Sequence, residues 1–367
     1  MHSIPRVSEN LQQSPLREVH EELGGKLVPF AGWEMPVHYG SIIQEHKAVR
    51  SAAGVFDISH MGQFVVKGEG AGAWLDGLLA NHVGALSDGE GHYTFLLNES
   101  GGVIDDLILY RVASDHYFLV VNAAKLTEDR EWMEGRLVDG VSFEDRSEAM
   151  AGLAIQGPAA PSVYTAMLGG RTLPSRNGIE LLEHEGQALI VCRTGYTGED
   201  GFEFFCPAKA GEFWFRSALS GKAEPCGLGA RDSLRLEKCY PLNGSDLSPE
   251  RTPLEAGLGF FVDLESVDFI GKDVLVQQKA EGVAERLTAI QCNDKGPPIR
   301  SGCEVFDETG DRIGELTSGI LSPSLGLGIG LAYLPRHLAR LGTTLAIEVR
   351  GRKIPATIVK KPFYKGR

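Results

Sequence analysis

The pattern of apolar and polar positions predicts two helices near the start of the chain. Ser14-Pro15, followed by residues 16–23 and then Gly24-Gly25, has an N-cap, a proline at the first helical position and a glycine stop. Ser41, with Gln44 three residues later, forms a capping box and predicts a second helix that ends before Gly54. Residues 28–37 lie between them and are rich in aromatic residues and proline, so we expect an ordered connection without regular structure.

Strand-like runs dominate much of the remaining chain. Between residues 55 and 122, short β-branched runs alternate with glycine turns, which predicts an antiparallel sheet with one helix near residues 74–79. Beyond residue 284 the pattern is that of strands only, so we predict a separate small β-barrel. The pattern also predicts helices at 127–137 and 158–168, a strand at 153–156 and a hairpin from 188–193 and 202–205. These elements together indicate an α+β fold.

Composition and charge limit the classes of function. The chain has 49 Asp and Glu against 36 Lys and Arg, a net charge of −13, so the molecule as a whole repels nucleic acid and anionic lipid. Six cysteines without a C-x-x-C pair indicate reduced, mostly buried thiols, and the histidines show no metal-binding spacing, so we assign no metal. Residues 1–10 are polar and lack the apolar core of a secretory signal, so we expect a cytoplasmic protein.

Two adjacent carboxylates, Asp105 and Asp106, lie inside an otherwise apolar strand-like segment. Period-two alternation places Asp105 on one face with Val103, and Asp106 on the other with Ile104. A buried carboxylate is costly to ionise unless it is paired, so its pKa rises, and such sites often carry acid–base chemistry. The alternative is structural: one aspartate would cap the Gly101-Gly102 turn, and the other would meet a backbone amide.

Two further segments have residues suited to ligand contact. Residues 193–203 place three glycines around Tyr196 and Glu199, so this backbone is able to approach a ligand closely, although the segment also resembles a plain hairpin turn. Residues 227–237 predict a helix with Arg231 and Arg235 on one face. A guanidinium there would bind a ligand carboxylate or pair with an acidic neighbour on the same helix. No phosphate-loop or dinucleotide fingerprint occurs, so nucleotide and flavin binding are unsupported.

These segments occur in a fixed order with several others. The set comprises Phe30-Ala-Gly-Trp-Glu-Met-Pro-Val37, Phe56-Asp-Ile-Ser-His-Met-Gly62, Gly102-Val-Ile-Asp-Asp-Leu107, Leu153-Ala-Ile-Gln-Gly-Pro158, Gly195-Tyr-Thr-Gly-Glu-Asp-Gly201, Gly229-Ala-Arg-Asp-Ser-Leu-Arg-Leu-Glu237 and Thr317-Ser-Gly-Ile-Leu-Ser-Pro-Ser324. Each motif is moderately specific. As an ordered set over residues 14–363, they closely resemble the T-protein family of the glycine cleavage system, the folate-binding aminomethyltransferases.

The resemblance implies a three-domain α+β cloverleaf around a central folate pocket, with antiparallel sheets and a C-terminal small β-barrel. The first domain would combine residues 1–54 and 150–275, the second would span residues 55–149 with the aspartate pair, and the barrel would span residues 284–367. It also implies an enzyme that transfers the methylene of an aminomethyl group on lipoylated H-protein to tetrahydrofolate. The products would be 5,10-methylenetetrahydrofolate, ammonia and dihydrolipoyl H-protein. Tetrahydrofolate would act as a co-substrate, without metal, flavin or nicotinamide.

The resemblance also implies site residues, position by position. Asp106 would be catalytic, since a desolvated carboxylate stabilises cationic character at the transferred carbon. Glu199 and Arg231 fall on ligand-contacting positions. Our hypothesis is that Arg231 binds the folate's glutamate carboxylate and that Glu199 binds its aminopterin edge. The further positions predicted to line the pocket are Tyr93, Asn122, Met61, Tyr196 and Tyr110.

The chain departs from the family pattern at Asn243, where the family commonly has tyrosine, so an aromatic wall would be absent there. Lys238-Cys239-Tyr240 partly resembles the signature of folate-binding maintenance paralogues. Two alternatives therefore stay open. One is a related tetrahydrofolate-dependent methyltransferase or demethylase that works without H-protein, and the other is a non-catalytic folate-binding maintenance protein.

Charge is unevenly distributed along the chain. Residues 335–367 carry a net charge of +8, whereas the remainder carries −21. H-protein is generally acidic in this family, so we predict that the basic end, including Lys360 and Lys361, docks H-protein. A solvated tail is the alternative.

Overall fold

The computed structural model describes residues 11–366, which contain eight α-helices and twenty β-strands. The helices are α1 (Arg17–Glu22), α2 (Ile42–Ser51), α3 (Ala71–Leu78), α4 (Leu126–Glu134), α5 (Ala160–Met167), α6 (Gly211–Ser220), α7 (Leu228–Glu237) and α8 (Lys272–Glu281). The strands are β1 (Gln12–Gln13), β2 (Lys26–Phe30), β3 (Trp33–His38), β4 (Gly54–Asp57), β5 (Gly62–Lys67), β6 (Glu90–Leu97), β7 (Val103–Ala113), β8 (His116–Val121), β9 (Ser142–Asp145), β10 (Met150–Gln156), β11 (Ile179–His184), β12 (Gln187–Cys192), β13 (Gly201–Pro207), β14 (Glu224–Pro225), β15 (Glu285–Cys292), β16 (Glu304–Phe306), β17 (Arg312–Leu321), β18 (Gly328–Pro335), β19 (Thr344–Val349) and β20 (Arg352–Ile358). The expectation of a cytoplasmic chain without a secretory signal rests on residues 1–10, which lie outside the described residues.

The described residues form two compact units. The first comprises residues 11–63, 145–195 and 199–231, and the second comprises residues 64–144, 196–198 and 232–366. The three-domain division expected from the family stays a prediction. Within residues 11–366, no helix combines the length and the apolar character needed to cross a membrane.

A six-stranded sheet organises the first unit, in the order β11-β12-β13-β10-β4-β14. Its central strand β10 pairs antiparallel with both β13 and β4. Apolar side chains of α1, α5 and α6 join those of the sheet in one core, where the rings of Phe204 and Trp214 lie 5.0 Å apart. The hairpin predicted from residues 188–193 and 202–205 is confirmed as the β12–β13 pair.

The chain start follows the predicted pattern only in part. Helix α2 has the predicted N-cap, since the Gln44 backbone N–H donates to Ser41 Oγ at 3.4 Å. Helix α1 begins at Arg17 rather than at Pro15, and Ser14 does not cap it. Ser14 instead lies before the helix, where its hydroxyl donates to Asp57 and its oxygen accepts from the Leu16 N–H at 3.1 Å.

Residues 28–37, expected to be irregular, instead contribute to a hairpin of β2 and β3 with Ala31 and Gly32 at positive φ in its turn. The expectation was wrong because each proline has a strand neighbour on one side only, Pro29 opposite Glu34 and Pro36 opposite Leu27. Pro29 lies on the edge strand β2, and β1 pairs with β3 only at Trp33 and Glu34, so Pro36 has no β1 neighbour.

A five-stranded sheet in the order β6-β7-β8-β5-β9 carries the aspartate pair in the second unit. Strand β7 is antiparallel to β6, and the register shifts so that Leu96 faces Asp105 while Leu97 faces Val103. This bulge skips Ile104. Ile104 was predicted on the same face as Asp106, but it packs in one core with Leu107 and Leu109, which alternate with Asp105 on the other face. The predicted alternation was therefore wrong at Val103 and Ile104, because a bulge shifts the alternation by one residue.

The predicted C-terminal barrel is confirmed. It is closed, with strand order β15-β18-β17-β16-β19-β20. Its β17–β18 region holds the end of α7, since the buried Glu237 carboxylate accepts from the hydroxyls of Ser322 (2.5 Å) and Ser324 (2.8 Å). The 317–324 motif therefore has a structural role in fastening α7 to the barrel.

Candidate functional site

Asp106 lies in the middle of β7, opposite Phe95 of β6, and is half-buried. Tyr93 Oη donates to its Oδ2 at 2.8 Å, and Asn122 Nδ2 donates to its Oδ1 at 3.2 Å. The side chain of Asn243 donates a third hydrogen bond. The second unit therefore surrounds this carboxylate with neutral donors and places no cation among its hydrogen-bonding partners in the described residues.

The surroundings of Asp106 shift its titration into the neutral range. Burial is the largest cause and the nearby Asp105 carboxylate the next, and together they raise the pKa of Asp106 to about 7. The hydrogen bonds from Tyr93 and Asn243 act in the opposite direction because they stabilise the charged form. Near neutral pH, Asp106 is thus divided between carboxylate and carboxylic acid, and it is suited to accept or release a proton.

Asp105 is fully buried, and Asn122, which directly follows β8, donates two hydrogen bonds to it. The backbone N–H of Asn122 donates to Asp105 Oδ2 at 3.0 Å, and its Nδ2 donates to Oδ1 at 2.8 Å. The same Nδ2 bonds Asp106, so Asn122 links both carboxylates. The structural alternative is thus half right: Asp105 meets a backbone amide, but Asn98 rather than an aspartate accepts the N–H of Gly102 in the turn.

Aromatic rings surround the phenol of Tyr93. Its ring lies edge-on to Phe95 at 5.1 Å and to Phe261 at 4.8 Å. Burial, followed by the charge of Asp106, raises the pKa of Tyr93 well above its ordinary value, so the phenol stays a donor. Phe260, whose ring centroid is 3.8 Å from that of Phe261, is 83% exposed. An apolar surface therefore lies beside the Tyr93–Asp106 pair.

Tyr196 belongs to the same unit as Tyr93, Asp106 and Asn122. Its hydroxyl donates to the carbonyl of Pro241, and its ring stacks on Tyr240 with 5.9 Å between centroids. Tyr196 is among the groups that raise the pKa of Tyr93, which places it in the electrostatic surroundings of the site.

Asn243 is the partner of Asp106 that sequence reasoning missed. Beyond its bond to Asp106, its Nδ2 donates to the carbonyl of Ile104 at 3.4 Å, so it is anchored on the strand that carries the aspartates. The only sequence signal was the departure from tyrosine at this position. That departure supplies a hydrogen-bond donor.

Tyr110, also predicted to line the pocket, is 0% exposed. Its ring covers Gly91, where an added Cβ would lie 2.2 Å from the ring. This burial favours a packing role for Tyr110 over ligand contact.

Glu199 and Arg231 lie in the first unit. Glu199 Oε1 accepts from Arg50 Nη1 at 2.8 Å, and both side chains are largely buried. Arg231 is near the buried Glu203, where it partly offsets the increase in pKa that burial causes. Arg231 also helps burial to lower the pKa of His60 to about 4. His60 and Glu203 lie inside the quoted segments but were not singled out there, and Arg50 lies outside them.

Met61 follows His60 in the same unit and contributes its backbone, since its carbonyl accepts from Gln63 Nε2. Its side chain is half-buried. The predicted ligand contact of Met61 therefore stays a prediction.

Glycines of the predicted ligand segment 193–203 and of the Gly101-Gly102 turn make close contacts within the protein. A Cβ on Gly195 would lie 1.9 Å from Gln156 Oε1, and a Cβ on Gly102 would lie 1.8 Å from the Pro249 carbonyl oxygen. Arg193 and Asp200 close the first loop with two hydrogen bonds, at 3.2 and 2.8 Å. The absence of side chains at these positions thus serves internal packing.

Arg235 pairs with an acidic neighbour on its own helix, which was the alternative to binding a ligand carboxylate. It is 3% exposed, and it bonds Asp232 on the same helix at 2.9 Å and Asp246 at 2.9 Å.

Within residues 11–366, no cluster of three or more His, Cys, Asp and Glu side chains is arranged to hold a metal ion. The six cysteines are free thiols, and five of them are buried.

Comparison with known proteins agrees with this architecture. The family model described as the GCVT N-terminal domain matches residues 16–266, and the glycine cleavage T-protein C-terminal barrel domain matches residues 285–365. A Geobacillus sp. (strain WCH70) protein named aminomethyltransferase is 44% identical over 366 residues, which cover 97% of this chain and 99% of the relative. A Nostoc sp. (strain PCC 7120) protein of the same name is 44% identical and covers 98% of this chain and 97% of the relative.

A solved structure extends the similarity to three dimensions. The crystal structure of glycine cleavage system aminomethyltransferase T from Bartonella henselae matches with a TM-score of 0.91 and 35% identity, covering 98% of this chain and 99% of that one. Fold and relatives together define an α+β enzyme with a C-terminal barrel. The chain belongs to the glycine cleavage T-protein family, which confirms the family and the fold class expected from its motifs.

Proposed function

We propose that this chain is an aminomethyltransferase of glycine cleavage that transfers the methylene of aminomethyl-dihydrolipoyl H-protein to tetrahydrofolate. The products are 5,10-methylenetetrahydrofolate, ammonia and dihydrolipoyl H-protein. The names of the relatives support the reaction class. The observation that carries the proposal is a half-buried carboxylate, Asp106, set among neutral donors with a pKa of about 7.

Asp106 would act on the charge of the transferred group. An ionised carboxylate in a site shielded from water stabilises positive charge that develops on the carbon–nitrogen unit as ammonia leaves. With its pKa near neutrality, Asp106 is also suited to take up a proton released during transfer. Tyr93 and Asn122 would hold the carboxylate in position through their hydrogen bonds.

The residues around Asp106 have the chemistry needed to hold a folate. The edge-on rings of Tyr93 and Phe261, together with the amides of Asn122 and Asn243, suit a flat heterocycle that carries hydrogen-bonding edges. Tetrahydrofolate supplies the nitrogen that accepts the carbon. Arg231 and Glu199 lie in the first unit and stay predicted ligand contacts, and Arg50 Nη1 bonds Glu199 Oε1 at 2.8 Å.

Of the two lysines predicted to dock H-protein, the structure exposes one and turns the other inward. Lys360 is exposed. Lys361 points inward, where its Nζ donates to the carbonyl of Ala256 at 3.5 Å and burial lowers its pKa. Lys360 is thus suited to meet an acidic partner, whereas a reversal of Lys361 would perturb the interior.

The test is turnover of methylamine-loaded H-protein with tetrahydrofolate, measured as ammonia release. We expect Asp106→Asn to reduce kcat by at least about 100-fold, the effect of losing one acid–base or electrostatic group. Asp115→Asn, in the exposed turn between β7 and β8, is the matched control and should leave kcat unchanged. The proposal is wrong if the wild type releases no ammonia or if Asp106→Asn equals it. Turnover without H-protein would point instead to a demethylase.

A further inference from the structure

A third carboxyl group, that of Asp129 in α4, lies behind the aspartate pair. Asp129 is 0% exposed. In the described part of the chain, no N–H or O–H group donates to either of its carboxyl oxygens. The group that it bonds is another carboxyl, the side chain of Asp105. Two buried acid groups are thus in direct hydrogen-bond contact.

Such a contact requires a proton between the two groups, because ionised carboxylates offer only acceptors. The proton belongs on Asp129, for a reason visible in the hydrogen bonds. Asp105 already accepts two from Asn122, at 2.8 and 3.0 Å, and these stabilise its charged form. Asp129 has no comparable donors. Burial, together with the charge of Asp105, raises the pKa of Asp129 well above its ordinary value.

The other charged groups near Asp129 do not reverse this assignment. Glu128, on the same helix, raises the pKa further, whereas Lys125 lowers it. Lys125 is bonded to Glu128 at 2.8 Å, so its charge is partly neutralised. On the side facing β7, the neighbours are Asp105 and its partner Asn122.

We propose that Asp129 is a positioning residue for the active site: as a carboxylic acid, it donates a hydrogen bond to Asp105, which fixes Asn122 and, through the Asn122 amide, the carboxylate of Asp106. The role in catalysis rests on the proposed function. The chain of contacts is continuous, since the Asn122 Nδ2 that donates to Asp105 at 2.8 Å also donates to Asp106 at 3.2 Å.

The proton on Asp129 also limits the charge next to Asp106. The Asp105 carboxylate already raises the pKa of Asp106. If Asp129 were ionised as well, a further buried negative charge would disfavour the Asp106 carboxylate. A neutral Asp129 therefore supports the Asp106 carboxylate in both geometry and charge.

Two substitutions separate the donor from the volume of the side chain. Asp129→Asn keeps a neutral side chain with an N–H donor, and we expect kcat within about 3-fold of the wild type, with the acid limb of its pH profile unchanged. Asp129→Leu fills the site without a donor, and we expect kcat to fall by about 10-fold or more, the effect of leaving a buried acceptor unsatisfied. KM for tetrahydrofolate should change less than kcat. The proposal is overturned if Asp129→Asn loses as much as Asp129→Leu, or if both retain wild-type kcat.

The protonation of Asp129 has a readout that requires no turnover. Asp106 is itself partly protonated at neutral pH, so the spectra are recorded in the Asp106→Asn background. There the infrared spectrum of the folded protein should contain the carbonyl band of a buried carboxylic acid, and the double variant Asp106→Asn/Asp129→Asn should lack it. A spectrum without a difference between the two proteins would overturn the inference even if Asp129→Leu failed to fold. If the band is present but the wild type has no aminomethyltransferase activity, the proposed function fails while the proton assignment stands.

Discussion

Removing the hydrogen bond from Asn243 should raise the pH at which the enzyme becomes active. Asn243 stabilises the charged form of Asp106, whereas burial and Asp105 destabilise it. Asn243→Leu keeps the approximate volume and removes the donor. If the carboxylate is the active form, activity is lost as pH falls through the pKa of Asp106. A higher pKa therefore moves the acid limb of the pH profile upward.

The size of this shift follows from the hydrogen bond. A hydrogen bond to a charged group contributes about 1.5–3 kcal/mol, and about 1.4 kcal/mol corresponds to one pKa unit. The full range would be roughly one to two units, and the half-buried position of Asn243 favours the lower end. Starting from about 7, the pKa of Asp106 should reach about 8. At pH 7, the ionised fraction then falls from about one half to about one tenth, so kcat/KM falls about 5-fold.

The assay is the pH dependence of kcat/KM for ammonia release, compared with that of Asn293→Leu. Asn293 is an exposed barrel asparagine, so the same substitution there should leave the acid limb in place. The Asn243→Leu profile should recover toward wild-type values at high pH. An acid limb that stays in place, or a loss of the same size at every pH, would refute the link between Asn243 and the charge of Asp106.

Two further predictions concern packing and docking. Gly102→Ala should lower the free energy of unfolding by about 1–3 kcal/mol, because its Cβ would lie 1.8 Å from the Pro249 carbonyl oxygen. Gly77→Ala, in α3 with open space around its Cβ, should raise it by about 0.5–1 kcal/mol, and equal midpoints in denaturant would contradict this reasoning. Lys360→Glu should raise KM for H-protein about 2- to 5-fold at low salt and less at high salt. Lys279→Glu, an exposed reversal in α8, should not, and equal KM values would remove the docking proposal.

Local signals were sufficient where the structure is set by neighbours in sequence. Ser41 caps α2 as predicted, since its partner is the N–H three residues later. The strand-only pattern beyond residue 284 predicted the barrel. The hairpin at residues 26–38 was missed because whether Pro36 is tolerated depends on how far the neighbouring strand β1 extends, and local sequence does not contain that information.

In the candidate site, too, some residues were predicted from the sequence and others were found only in the structure. The motif identified Asp106, and the family pattern added Tyr93 and Asn122, whose hydrogen bonds to Asp106 the structure reveals. Asn243 was missed as a donor because it meets this strand across a separation of 139 residues, from Asn243 to Ile104. Asp129 gave no signal, since an acidic residue in the first turn of a helix is ordinarily explained by the helix dipole.

The chemistry of Asp106 therefore depends on partners that its own motif does not contain. Burial and Asp105 raise its pKa, whereas donors from β6 and from the loop after α7 lower it. Because these effects oppose each other, the value near 7 is a balance, and losing any one partner shifts it in a direction that can be stated in advance. Removing a donor raises the pKa, and neutralising Asp105 lowers it. A proton retained on Asp129 keeps a further charge out of this balance, which is why a residue outside the motif has a place in the mechanism.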